Sequence, residues 1–98
     1  MTIKQWCTTI KRWRIKKGFK TSKKNMLAKL MLAVSELSEA AEDVRHERWE
    51  HFSEEIADCV IRLFDICGTL HIDLEKAITD KMAINENRPH LHGTVSNA

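Results

Sequence analysis

Ninety-eight residues suffice for one small domain, and a hydrophobic fraction of 43% is that of an ordinary folded chain. Three glycines, one proline and no tyrosine favour helix over sheet, and no apolar run approaches the roughly 20 residues of a membrane span. The net charge of +2 is unevenly laid out: residues 1–24 hold nine Lys or Arg and no acid, whereas residues 36–58 hold nine of the fourteen acids. One end suits phosphates and the middle suits metal.

The basic N-terminus lacks an export-type apolar stretch. Cys7, Cys59 and Cys67 are an odd set with no Cys-x-x-Cys spacing. They are expected to be reduced, mostly buried thiols of a cytoplasmic protein.

Taken in chain order, residues 2–17 read as a first helix. Ile3, Trp6, Cys7, Ile10 and Trp13 recur at helical spacing, and Gly18 is a stop. Trp6 and Trp13 are expected in the core; the sharper reading has one of them wall a base pocket. Lys11, Arg12, Arg14, Lys16 and Lys17 read as a solvated face. Residues 18–22 form a short polar loop, with Ser22 as the next cap.

Residues 23–46 read as a long second helix. Its apolar positions, among them Met26, Leu27, Leu30, Met31, Val34 and Leu37, cover so broad an arc that it must be buried on more than one side. In so short a chain that implies a partner subunit. Lys29 lies two turns before Glu36 on the same face, placed for a phosphate or a carboxylate. Residues 45–51 form a charged connection whose His46 and His51 read as surface histidines, since no Glu-x-x-His di-iron pattern accompanies them.

The third helix is read over 52–70, with Ser53 as cap and a core stripe of Phe52, Ile56, Cys59, Val60, Leu63, Phe64, Cys67 and Leu70. Arg62 follows Asp58 at i+4, a spacing for an ion pair. Asp65 reads as ordinary surface, and Gly68 as a loosening of the helix end. The fourth helix spans 73–87, capped by Asp73 and ended by Pro89. Lys81, Asn85 and Arg88 make a polar row along it. Residues 90–98 read as a loose tail of the single domain 1–98.

Two short stretches stand out. Glu36-x-x-Glu39 and Glu55-x-x-Asp58 each place two carboxylates one turn apart on a helix face. Apolar residues surround both, and the spacer between them is long enough to turn the chain back. Two antiparallel helices would then aim four carboxylates at one point. Like charges repel and desolvation is costly, so such a gathering needs a hard divalent cation.

These residues resemble the MazG-like all-α nucleoside triphosphate pyrophosphohydrolases. Their signature, Glu-Glu-x-x-Glu, a spacer, then Glu-x-x-Asp, reads here as Ser35-Glu36-x-x-Glu39 and Glu55-x-x-Asp58. Lys81-x-x-x-Asn85-x-x-Arg88-Pro89 followed by His92-Gly93 resembles the family's C-terminal element. Ser35 departs from the pattern, where the family carries a glutamate.

The resemblance implies a four-helix bundle completed by homo-oligomerisation, as a homodimer or a dimer of dimers. It implies Mg²⁺, with Mn²⁺ as a substitute, held by Glu36, Glu39, Glu55 and Asp58 as the catalytic centre. The reaction it implies splits a nucleoside triphosphate between the α and β phosphates. Lys29, Lys81, Asn85, Arg88 and Trp13 are then the expected substrate contacts. The alternatives are a nucleic-acid-binding module using the basic N-terminal region, or a helical regulatory partner with a decayed site, which Ser35 keeps open. Nucleic acid is not the expected partner, because the tryptophans fall on the apolar stripe and not among the lysines.

Overall fold

A computed structural model describes residues 1–89; the expected tail, with His92-Gly93, lies outside the described residues. Among these the chain forms four α-helices and no strand: α1 (Ile3–Lys16), α2 (Met26–Arg45), α3 (Trp49–Thr69) and α4 (Leu74–Glu86). A single 3₁₀ turn over Lys23–Asn25 leads into α2. There the Ser22 amide donates to Asn25 Oδ1 at 2.8 Å. No helix among the described residues is long and apolar enough to cross a membrane.

The ends of the helices follow local chemistry. Thr2 caps α1 in a reciprocal box with Gln5, and Asp73 Oδ1 accepts from the Lys76 amide at the start of α4. Three helices close in the same way. The amide one residue past a left-handed position bonds back five residues, as Phe19 to Arg14, Arg48 to Asp43 and Ile72 to Cys67. The left-handed residues are Gly18, Glu47 and His71. Only the first is glycine, the residue that takes this conformation without strain.

Glu47 therefore turns the chain within three residues, and α3 begins at Trp49, ahead of the expected start at 52. Ser53 is not its cap: its hydroxyl donates to the Trp49 carbonyl inside the helix. With so short a connection, α2 and α3 fold back as an antiparallel pair. Theirs is the main packing interface of the chain, and α1 lies across α3.

The buried core is small: Cys7 and Ile10 of α1, Ala33 and Ala40 of α2, and Cys59, Ile66 and Cys67 of α3. Small side chains let the helices approach closely. Gly68 belongs to this contact and is not a loosened end. A Cβ there would lie 2.8 Å from the Cys7 carbonyl oxygen, so the position admits only hydrogen. All three cysteines are free and buried, and burial pushes the Cys7 and Cys67 thiols above their usual range.

Several residues expected inside are not. Trp6, Trp13, Ile56, Val60 and Leu63 stay substantially exposed, together with Leu27, Leu30, Met31, Val34 and Leu37 of α2. One chain has too few elements to cover both sides of the α2–α3 pair. Lying along α1, α4 buries none of its residues.

Candidate metal and nucleotide site

The polar residues of α2 and α3 line a seam between the two helices. On α3, His51, Glu55, Asp58, Arg62 and Asp65 recur at i, i+4, i+7, i+11 and i+14, which keeps all five on one face. Opposite them on α2 run Lys29, Glu36, Glu39 and Asp43. Because the helices are antiparallel, Asp43 meets the start of α3 and Glu36 its middle.

At the centre of the seam, one carboxylate oxygen from each of Glu36, Glu39 and Glu55 lies within 4.8 Å of the others. Glu55 carries the strain of this crowding. Its carboxyl is pushed up to about 7, chiefly by the hydrogen bond shared with Glu36, then by the one with Glu39. Desolvation and repulsion from both neighbours add to the shift. Its Oε2 is buried without a hydrogen-bond partner. An all-oxygen donor set with a buried, unsatisfied acceptor suits a hard divalent cation, so these residues fit the metal that their spacing implies.

Asp58 stands one turn further along α3, exposed and outside this group of three. It lines instead an open cavity of about 370 Å³, together with Glu36, Arg62, Lys29, Trp13 and Phe19. Lys29 and Trp13 thus line the same cavity as the carboxylates Glu36 and Asp58, with Trp13 still 52% exposed. Lys81, Asn85 and Arg88 do not line the cavity; they sit on or just past α4, on its exposed surface. The Ser35 hydroxyl turns back on its own helix, donating to the Met31 carbonyl at 3.1 Å, and takes no part in the cluster.

Three pairings differ from the expected ones. Arg62 Nε donates to Glu36 Oε1 across the seam at 3.1 Å, and not to Asp58 on its own helix. Asp65 is not surface: at 7% exposure it takes Arg14 Nε on one oxygen at 2.9 Å and the Thr21 hydroxyl on the other at 2.6 Å. Arg14 therefore leaves the solvated face and also reaches Thr69 and the Phe19 carbonyl. A buried charge persists only when paired and hydrogen-bonded, and this network meets that condition while its Arg14 and Asp65 line the cavity beside Trp13.

Sequence reasoning stopped at Asp58 and missed Asp43 and Asp65. The signal was present, since both continue the i, i+3/i+4 rows that contain the recognised carboxylates.

Fold and site together define an all-helical chain with an acidic centre set between two antiparallel helices, able to hold a metal ion beside an open cavity. The family model of the MazG nucleotide pyrophosphohydrolase domain matches residues 21–92, and the chain belongs to that family. No curated protein and no solved structure matches it.

Proposed function

We propose that this protein is a Mg²⁺-dependent nucleoside triphosphate pyrophosphohydrolase that releases a nucleoside monophosphate and pyrophosphate. The observation that carries this reading is the meeting of Glu36, Glu39 and Glu55 beside a cavity lined by Trp13, Lys29 and Asp58. Family membership supports the reaction class.

Glu36, Glu39 and Glu55 would hold the metal, with Mn²⁺ as a substitute, and Asp58 would meet it from the side of the adjoining cavity. Bound there, it supplies charge neutralisation at the phosphates and a more acidic water for attack on phosphorus. Trp13 offers a face on which a base would stack, in the cavity that Phe19 also lines. Lys29 and Arg62 are placed to pair with phosphate oxygens, the guanidinium on two oxygens at once. The buried Arg14–Asp65–Thr21 network would hold the wall that carries Trp13.

The chain works as a homodimer or a dimer of dimers. Leu30, Val34 and Leu37 of α2 and Ile56, Val60 and Leu63 of α3 are exposed apolar residues at helical spacing, an area that a soluble monomer would not leave open. Lys81, Asn85 and Arg88 take part in substrate binding by meeting the cavity of a second copy. Three buried free thiols support a cytoplasmic setting.

The test is product analysis on a panel of ribo- and deoxynucleoside triphosphates with Mg²⁺ and with EDTA. Metal-dependent release of pyrophosphate and monophosphate is expected. Release of single phosphate, or no turnover on any nucleotide, would overturn the reading. The nucleic-acid-binding alternative loses Arg14, whose guanidinium is committed to Asp65. Salt-dependent retention on DNA or RNA without metal would revive it.

A further inference from the structure

Next to the carboxylate cluster, and sharing Glu55 with it, lies a second group whose Asp43 and His51 the proposed reaction does not use. One ligand atom each of Asp43, His51 and Glu55 lies within 4.8 Å of the others. Asp43 sits in the last turn of α2 and His51 in the first turn of α3. The three-residue connection through Glu47 brings them face to face.

The Asp43 side chain is only 6% exposed. Arg48 Nε holds its Oδ1 at 3.0 Å, and the Arg48 amide binds the Asp43 carbonyl at 2.8 Å. Its Oδ2 is buried with no hydrogen-bond partner. Leaving a charged acceptor buried and unmatched is costly, more so than for a neutral one. Glu55 Oε2 is in the same condition. Asp43 and Glu55, each with a buried unmatched oxygen, gather with the His51 imidazole into a donor set suited to a cation. Hydrogen-bond donors are already spent on the other side: Arg48 orients the carboxylate on one oxygen and leaves the second free, as outer groups do around metal ligands.

We propose that Asp43, His51 and Glu55 form a second cation site, distinct in chemistry from the all-carboxylate one and sharing Glu55 with it. An imidazole nitrogen and two carboxylate oxygens suit a transition metal such as Zn²⁺ or Mn²⁺ better than Mg²⁺. His51 is exposed, so a further coordination position opens to solvent. Glu55 would then serve both sites.

The inference concerns metal content and not turnover, so its failure is separable from failure of the hydrolase reading. The full-length protein is stripped with chelator, loaded with Zn²⁺, and its bound metal counted after gel filtration. His51→Ala, an exposed position whose loss leaves the core untouched, is expected to bind one Zn²⁺ fewer than the wild type. His46→Ala, one turn outside the group, keeps the wild-type count. Asp43→Asn is expected to weaken the same Zn²⁺ by about tenfold or more. In the wild type, the His51 ring nitrogens shift on Zn²⁺ addition in imidazole-detected NMR. Wild-type Zn²⁺ stoichiometry in His51→Ala, or a His51 ring that does not respond to Zn²⁺, would overturn the proposal.

Discussion

Arg62 reaches across the seam to Glu36 and leaves Asp58, one turn earlier on its own helix, without its guanidinium. The ion pair offsets part of the repulsion among Glu36, Glu39 and Glu55 when no cation does so. Arg62→Ala is therefore expected to lower the stability of the metal-free protein by about 1 kcal/mol, the modest value of a partly exposed pair. Mg²⁺ is expected to restore most of that loss, and the proposed function predicts a higher KM for the nucleotide through the loss of a phosphate contact. Thermal melts with and without EDTA, beside steady-state kinetics, measure both; an unchanged KM would remove Arg62 from the substrate contacts.

Truncating Asp65 strands Arg14 and the Thr21 hydroxyl in a buried place. Asp65→Ala is expected to cost about 3 kcal/mol, as for other buried pairs broken on one side. Urea unfolding gives the number. A loss below about 1 kcal/mol would mean that solvent reaches Arg14 after all.

Neutralising single carboxylates tests the centre without disturbing the helices. Glu39→Gln and Asp58→Asn are both exposed positions. Each is expected to reduce pyrophosphate release by about 100-fold or more while far-ultraviolet circular dichroism stays that of the wild type. Near-normal Mg²⁺-dependent turnover in either variant would remove that residue from the centre.

The raised Glu55 carboxyl links stability to pH. Its proton is held up to about 7 in the folded chain, against 4.5 ordinarily, so folding favours the protonated form. The stabilisation this brings is fully present below the unfolded value and is lost as pH rises through the folded one. Metal-free protein should therefore lose thermal stability between about pH 5 and pH 8. Glu55→Gln, neutral throughout, should flatten that slope. Cations must displace the same proton, so metal affinity falls as pH drops below about 7. Melting curves in EDTA across the range, and metal titrations at its two ends, decide the matter; a parallel slope in Glu55→Gln would assign it to another group.

Much of this was legible in the residues themselves. Four helices follow from the periodicity, and Gly18 and Asp73 mark a stop and a start because their local chemistry is of the common kind. The start of α3 was misplaced because the turn before it uses Glu47, which sequence preference does not mark as left-handed. The carboxylate pairs were legible because their spacing is local. The partner of Arg62 was not, since the choice between Glu36 and Asp58 depends on the register of two helices. Asp65 and Arg14 were misread for the same reason: each looks like a surface charge until the other, fifty-one residues away, is brought to it. The exposed tryptophans and the bare outer face of α2 and α3 reflect a core too small to cover them within one chain.

Gly68 sets the spacing of α1 against α3, and α1 carries Trp13 some six residues, or about 9 Å of helix, beyond that point of contact. The helix is thus a lever with its fulcrum at a single hydrogen atom. An alanine at this position would tilt the lever and move the indole at its far end. The shape of the cavity can therefore change during evolution at a residue that does not line it.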